Sequence, residues 1–202
     1  MSASVLIVGA GPAGLAAAVA AGKSGARIQL VDDNPAPGGQ IWRKDLRKGA
    51  AASARPYLDQ LHQLQSDGQL ELLGGTAIVD ANRPTELLAL RQGSDTVQAL
   101  RCDRLVLATG ARERFLPFPG WTLPGVVGVG GIQALCKQGL EVCGRHIVIA
   151  GSGPLLLAVA EYLRAAGAEI PLLAEQAPFG PVARFGAGLW RYPAKLRQLI
   201  AL

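Results

Sequence analysis

The sequence predicts an α/β protein: a Rossmann-like nucleotide-binding domain with a parallel sheet and a β-meander insertion, followed by a partial second domain of the same kind. Three observations predict it. An apolar run, Val5 to Val8, leads straight into glycines at 9, 11 and 14. The same succession of strand, glycine turn, helix and strand returns 142 residues later, at Gly151. Between the two, residues 76–101 break into three short β-type runs separated by turn residues.

Val5–Val8 is the kind of apolar run that makes a strand buried on both faces. Gly9 permits a tight turn, Gly11 lets the backbone approach a pyrophosphate, and Gly14 lets a helix pack closely on the strand. The alanine-rich segment from Leu15 to about Lys23 has strong helix propensity, and Gly25 ends it. Arg27–Val31 is a second strand closing on Asp32 and Asp33. The unpaired N–H groups at the positive end of the helix then face a phosphate. Asp32 lies 18 residues beyond Gly14, where a carboxylate accepts hydrogen bonds from a ribose and repels a 2′-phosphate. A bare G-x-G-x-x-G also occurs in turns that bind nothing. Strand, helix and acid together make Gly9, Gly11, Pro12, Ala13, Gly14, Asp32 and Asp33 the candidate dinucleotide site.

The chain continues with a turn-rich loop, Pro35–Gln40, whose paired glycines Gly38 and Gly39 allow another close backbone approach. Trp42 and Arg43 have two open readings, an exposed loop held by one aromatic or a cofactor contact. Residues 50–66 have a helical rhythm in Tyr57, Leu58, Leu61 and Leu64, and Leu70–Leu73 is a short parallel strand. The meander runs are Thr76–Val79, Leu87–Leu90 and Val97–Leu100, divided by Asn82-Arg83-Pro84 and Gly93-Ser94-Asp95. A buried strand, Leu105–Ala108, follows and runs into Thr109-Gly110. Residues 111–124, rich in proline and arginine, are the connector, which sets domains at 1–115 and 116–202.

The second half has a glycine-rich start and a helix within Val126–Leu140, then a strand, His146–Ala150. Gly151-Ser152-Gly153, a helix from Leu155 to Ala166 and a strand from Ile170 to Leu173 complete the repeat. This copy is degraded. Leu156 stands where the third glycine belongs, forcing helix from strand, and Glu175 comes two residues after the apolar strand. We expect a structural Rossmann half, with NAD(P) binding there left as the open alternative.

With 202 residues, half of them apolar and 17% charged, the composition excludes disorder. The net charge of +5 comes from scattered residues, and the densest group, Arg43, Lys44, Arg47 and Lys48, lacks an aromatic platform. It is expected to be a solvated surface segment, with no nucleic-acid partner. Residues 1–22 carry no charged side chain, but glycines interrupt them and no basic segment precedes them. They are core rather than a membrane span or signal peptide. Three cysteines without a C-x-x-C imply no disulfide framework, no redox dithiol and no metal pair. Cys136 and Cys143, seven apart, are expected to share a helix face as buried residues, and the default compartment is cytoplasmic. His62 falls in a surface helix and His146 opens a buried strand, so no catalytic acid or base is assigned.

In this order, the first glycine motif with Asp32, the Gly38-Gly39-Gln40 loop, the Ala108-Thr109-Gly110 strand end and the second glycine motif resemble one family. It is the pyridine nucleotide-disulfide oxidoreductase type of flavoprotein with two dinucleotide domains. Pro35-Ala-Pro-Gly-Gly-Gln-Ile-Trp-Arg43, the stretch Gly110–Val126 and Arg191-Tyr-Pro-Ala-Lys195 are similar to one subgroup. That subgroup holds the FAD subunits of hydrogen cyanide synthase, opine (octopine and nopaline) oxidases and proline or hydroxyproline dehydrogenases. The resemblance implies FAD at the first motif and NAD(P)H at the second. It adds Gly39, Gln40, Ala77, Thr109 and Gly110 to the cofactor-binding set, with Arg43, Arg112 and Arg114 as candidate donors to phosphate or flavin oxygens. It also implies oxidation of an amine-bearing small molecule, such as an amino acid or opine, with electrons passing to an acceptor or to a second flavoprotein subunit. The competing readings are a noncatalytic or truncated FAD-holding relay subunit and an NAD(P)H-dependent flavin reductase. Two full domains need ~300 residues, so the chain is expected to be a truncated member.

Overall fold

The computed structural model describes residues 3–46, 49, 51–114, 116–188 and 191–192. Arg47, Lys48 and Pro193-Ala194-Lys195 lie outside the described residues. The chain separates into two compact units, Met1–Arg112 and Glu113–Leu202.

In the first unit β1 (Ser4–Val8), α1 (Pro12–Lys23) and β2 (Arg27–Asp32) form the opening βαβ, followed by α2 (Arg55–Ser66) and β3 (Leu70–Gly74). The meander is β4 (Thr76–Arg83), β5 (Glu86–Arg91) and β6 (Val97–Arg101), and β7 (Arg104–Leu107) returns to the main sheet. That sheet is parallel throughout, in the order β3-β2-β1-β7, with Val8 opposite both Val31 and Leu107. The strand period of two sorts the side chains onto two faces. Ile7, Ile28 and Leu30 pack with Leu15, Ala18 and Leu61 of the helices. Leu6 and Val31 pack on the other face with Leu87, Ala89 and Leu100 of the meander. Burial on both faces explains the continuous apolar run of β1, and each such side chain is worth about 1.5–3 kcal/mol.

Two expectations shift. The first helix begins at Pro12 rather than Leu15, because proline's fixed φ suits the first helical position. The strand expected to be buried, β7, is at the sheet's edge among the described residues, and its Leu107 is 69% exposed.

The second unit runs α3 (Val129–Lys137), β8 (His146–Gly151), α4 (Leu155–Ala165), β9 (Glu169–Glu175) and α5 (Phe179–Gly188). Strands β8 and β9 are parallel, and Cys136, Val142, Ile149, Leu156, Val159 and Leu163 form the core. Cys143 corrects the expectation of a shared helix face, since α3 ends at Lys137 and Cys143 is exposed. His146 is exposed as well, 2.6 Å from Glu169 across the strand pair. Among the described residues no helix is long and apolar enough to cross a membrane.

Candidate dinucleotide site

Strand β1 is flanked by β2 and β7, and ligands of open parallel sheets bind at the carboxyl ends of such strands. Gly9 turns the chain there with φ +105°, and its N–H donates to Val31 O at 2.7 Å. A Cβ on Gly9 would collide with Ala108 O, and one on Gly14 would collide with Gly9 O. The helix and the end of β7 therefore close on the turn only because both residues are glycine. This contact also places Thr109 at the turn, its N 3.2 Å from where a Gly9 Cβ would stand. Thr109 and Gly110 are exposed.

Gly11 is the extended N-cap of α1, no side chain caps the helix, and Pro12 removes one donor. The N–H groups of Ala13 and Gly14 belong to the first turn, which has no intrahelical partners. The second glycine pair comes over this turn. Gly38 N–H donates to Ala10 O at 2.8 Å, and a Cβ on Gly39 would lie 2.8 Å from Gly11 Cα. Trp42 follows, its N–H on Gly38 O at 2.9 Å and its ring 5.1 Å from that of Tyr57. Gln40 is exposed at the same loop, and Ala77 is exposed two residues past Gly75, whose N–H donates to Asn34 O at 3.0 Å.

The acids are organised by a residue that sequence reasoning passed over. Asp32 is buried; its Oδ2 accepts from Ala10 N–H at 2.5 Å. Its Oδ1 accepts from Asn34 N–H at 2.8 Å and Asn34 Nδ2 at 2.9 Å. Asn34 Nδ2 also donates to Asp33 Oδ1 at 2.8 Å, while Asn34 Oδ1 accepts from Arg43 Nη2 at 2.7 Å. Asp33 Oδ2 receives Arg112 Nη2 at 2.8 Å, across the end of β1 from the β7 side. The signal for Asn34 was its type, since asparagine after a strand bonds locally to neighbouring groups. Arg43 Nε is buried and has no hydrogen-bond partner among the described residues. An uncapped helix start, paired glycine backbones and an orphaned guanidinium donor fit the phosphates and ribose of a dinucleotide. An apolar groove of about 600 Å³, lined in part by Val8, Ile78, Leu87, Leu105, Leu107 and Thr109, adjoins the turn and was not foreseen.

The second glycine turn is built differently. Glu175 is the last residue of β9, opposite Gly151, rather than a loop residue after the strand. Its Oε2 accepts from Gly153 N–H and its Oε1 from Ala177 N–H, each at 2.9 Å. The N–H groups of Ala177 and Gly153 hold this carboxyl below its ordinary range. Gly153 has φ +98°, and Pro154 rather than the second glycine caps α4. Leu156 is 5% exposed, and its Cδ2 would lie 3.3 Å from a Cβ on Gly151. His62 is exposed on α2, and Arg114 is exposed in the connector.

The family model described as pyridine nucleotide-disulphide oxidoreductase matches residues 3–184. Hydrogen cyanide synthase subunit HcnB of Pseudomonas protegens is 36% identical over 200 residues, covering 96% of this chain and 42% of that protein. An opine oxidase subunit from Rhizobium meliloti is 37% identical over 185 residues, covering 88% of this chain and 39% of that protein. The chain thus spans about two fifths of the length of these relatives. The solved flavoprotein disulfide reductase RclA of Escherichia coli superposes with TM-score 0.62 at 20% identity, over 89% of this chain and 44% of that one, a likeness of fold.

Proposed function

The chain belongs to the pyridine nucleotide-disulphide oxidoreductase family, and on that premise we propose that it is the FAD-binding part of a flavin-dependent oxidoreductase subunit. The substrate class is an amine-bearing small molecule such as an amino acid or opine, with electrons passing to an acceptor or to a second flavoprotein subunit. Two of the relatives are themselves named as subunits, of hydrogen cyanide synthase and of opine oxidase. The observation that carries the reading is the glycine turn at the end of β1, where the first-turn N–H groups of α1 have no intrahelical partner and Gly39 comes over Gly11.

In this reading FAD, when bound, supplies the two-electron chemistry of C–N oxidation. The chain's residues bind and orient. The N–H groups of Gly11, Ala13 and Gly14 donate to the pyrophosphate, and Arg43 and Arg112 supply charged donors. Asp33, half-exposed, accepts from the ribose, while Asp32 keeps the turn in shape through Ala10. Gly39 and Thr109 lie against the glycine turn, and Gln40, Gly110 and Ala77 are proposed as further cofactor contacts. A second reading is a relay subunit that holds FAD without oxidising substrate. A visible spectrum of the purified chain, with the released cofactor weighed by mass spectrometry, tests the assignment. A flavin spectrum with FAD released is expected; a colourless protein that takes up no added FAD would sink it. Bleaching by an amino acid or opine without a partner then separates the two readings.

A further inference from the structure

The geometry points to a chain with one dinucleotide site: we infer that the second glycine turn is closed by Glu175 and Leu156 and accepts neither NAD(H) nor NADP(H). The inference stands on the second unit alone and does not depend on the assignment of the first.

The two turns share one register and differ by one methylene. Val8 opposite Val31 sets Asp32 beside Gly9, as Glu175 is set opposite Gly151. The shorter acid reaches Ala10, between the glycines, and leaves Gly11 N–H to the crevice. The longer acid reaches one residue further and takes Gly153 N–H at 2.9 Å, the donor equivalent to that of Gly11. A phosphate arriving there would have to displace a carboxylate, meeting like charge. The backbone has followed. Gly153 adopts φ +98° where Gly11 has φ −75°, and the N-cap has moved on to Pro154.

Leu156 supports the same conclusion sterically. At the position of Gly14 it fills the space between helix and turn, buried against Gly151. Close approach of helix and strand is what aims a helix N-terminus at a pyrophosphate, and a leucine there prevents it. The unit's other glycine-rich helix start is occupied in the same manner. Glu113 accepts from Val129 N–H at 2.8 Å and Gly130 N–H at 3.0 Å, and a Cβ on Gly128 would strike its carboxylate. The chain's own carboxylates thus hold Gly153 N–H before α4 and two N–H groups of the first turn of α3, whereas among the described residues no side chain accepts from Gly11 N–H. The nicotinamide nucleotide that the fold family implies for this unit does not fit the residues present.

Backbone amide NMR on the full chain tests this site by site. Millimolar NADH and, separately, NADPH are expected to leave the amides of Gly151, Gly153 and Leu156 unshifted. Saturable shifts at those three amides would overturn the inference. A pH titration reads the carboxylate directly. The Gly153 amide is expected to move with Glu175, with a midpoint below the ordinary glutamate value of about 4.3. A Gly153 amide indifferent to that titration would also overturn the inference, because the donor would then be free. ADP shifting or failing to shift Gly11 and Gly14 reports on the first unit only, so failure of the FAD assignment is read separately.

Discussion

Asp32 and Arg112 lie at the same crevice, yet their side chains carry different loads. Asp32 is buried and accepts three hydrogen bonds that hold Ala10 and Asn34, so Asp32→Ala leaves buried donors unpaired. That costs about 1–3 kcal/mol, read as a lower melting temperature with or without nucleotide. Arg112 is 86% exposed in its pair with Asp33. Arg112→Ala is expected to cost at most about 1 kcal/mol of stability, while weakening nucleotide binding more at low salt than at high salt in calorimetric titrations. The glycines give a second contrast. Gly14→Ala pushes a methyl group into Gly9 O, and overpacking of this kind costs about 1–3 kcal/mol and should abolish nucleotide binding. Gly25→Ala meets nothing within 4 Å and suffers only its positive φ of 74°, about 1–2 kcal/mol, with binding kept. Thermal melts with a nucleotide titration of the two variants would contradict this if they behaved alike.

At the level of elements, sequence periodicity locates the helices and strands from β1 to β9 within a few residues, since each buries a stripe or face that its own residues define; α5, which buries no residue, is not read from the sequence. The shifts occur at ends. Strand β9 continues through Ala174 and Glu175 because it pairs with β8 as far as Gly151, and pairing is not written in the apolar run. Strand β7 reads as buried by its composition but lies at an edge. Helix α4 is seated by Leu156, Val159, Ala160 and Leu163 on one face. Leu156→Ala should therefore destabilise the second unit by about 2–5 kcal/mol, measured by denaturant titration. It should leave the hydrogen-exchange protection of β1 and β2 unchanged, since their core is built from other residues.

For the whole chain, acid stability follows from carboxylates that accept backbone hydrogen bonds. Asp103 accepts from Ser4 N–H at 2.8 Å and Ser4 O–H at 3.0 Å, which hold its carboxyl below the ordinary aspartate range. Its folded value lies below its unfolded value, so its contribution is complete above the unfolded pKa of about 3.9 and is lost as pH falls through the folded one. Glu175 acts with the same sign. Urea titrations between about pH 6 and pH 3 should show Asp103→Asn losing less stability on acidification than the natural chain. The amino-acid sequence by itself determined the order of elements from β1 to β9, the meander and the first glycine turn with its acid, because these rest on local spacing and on side chains that only glycine or a carboxylate can replace. Tertiary structure alone decided that Asn34 binds both acids and Arg43, that Gly39 lies over Gly11, and that Glu175 takes the donor of Gly153. Those outcomes depend on strand register and on side-chain reach across residues distant in the chain, and a hydrogen bond is won or lost over about an ångström.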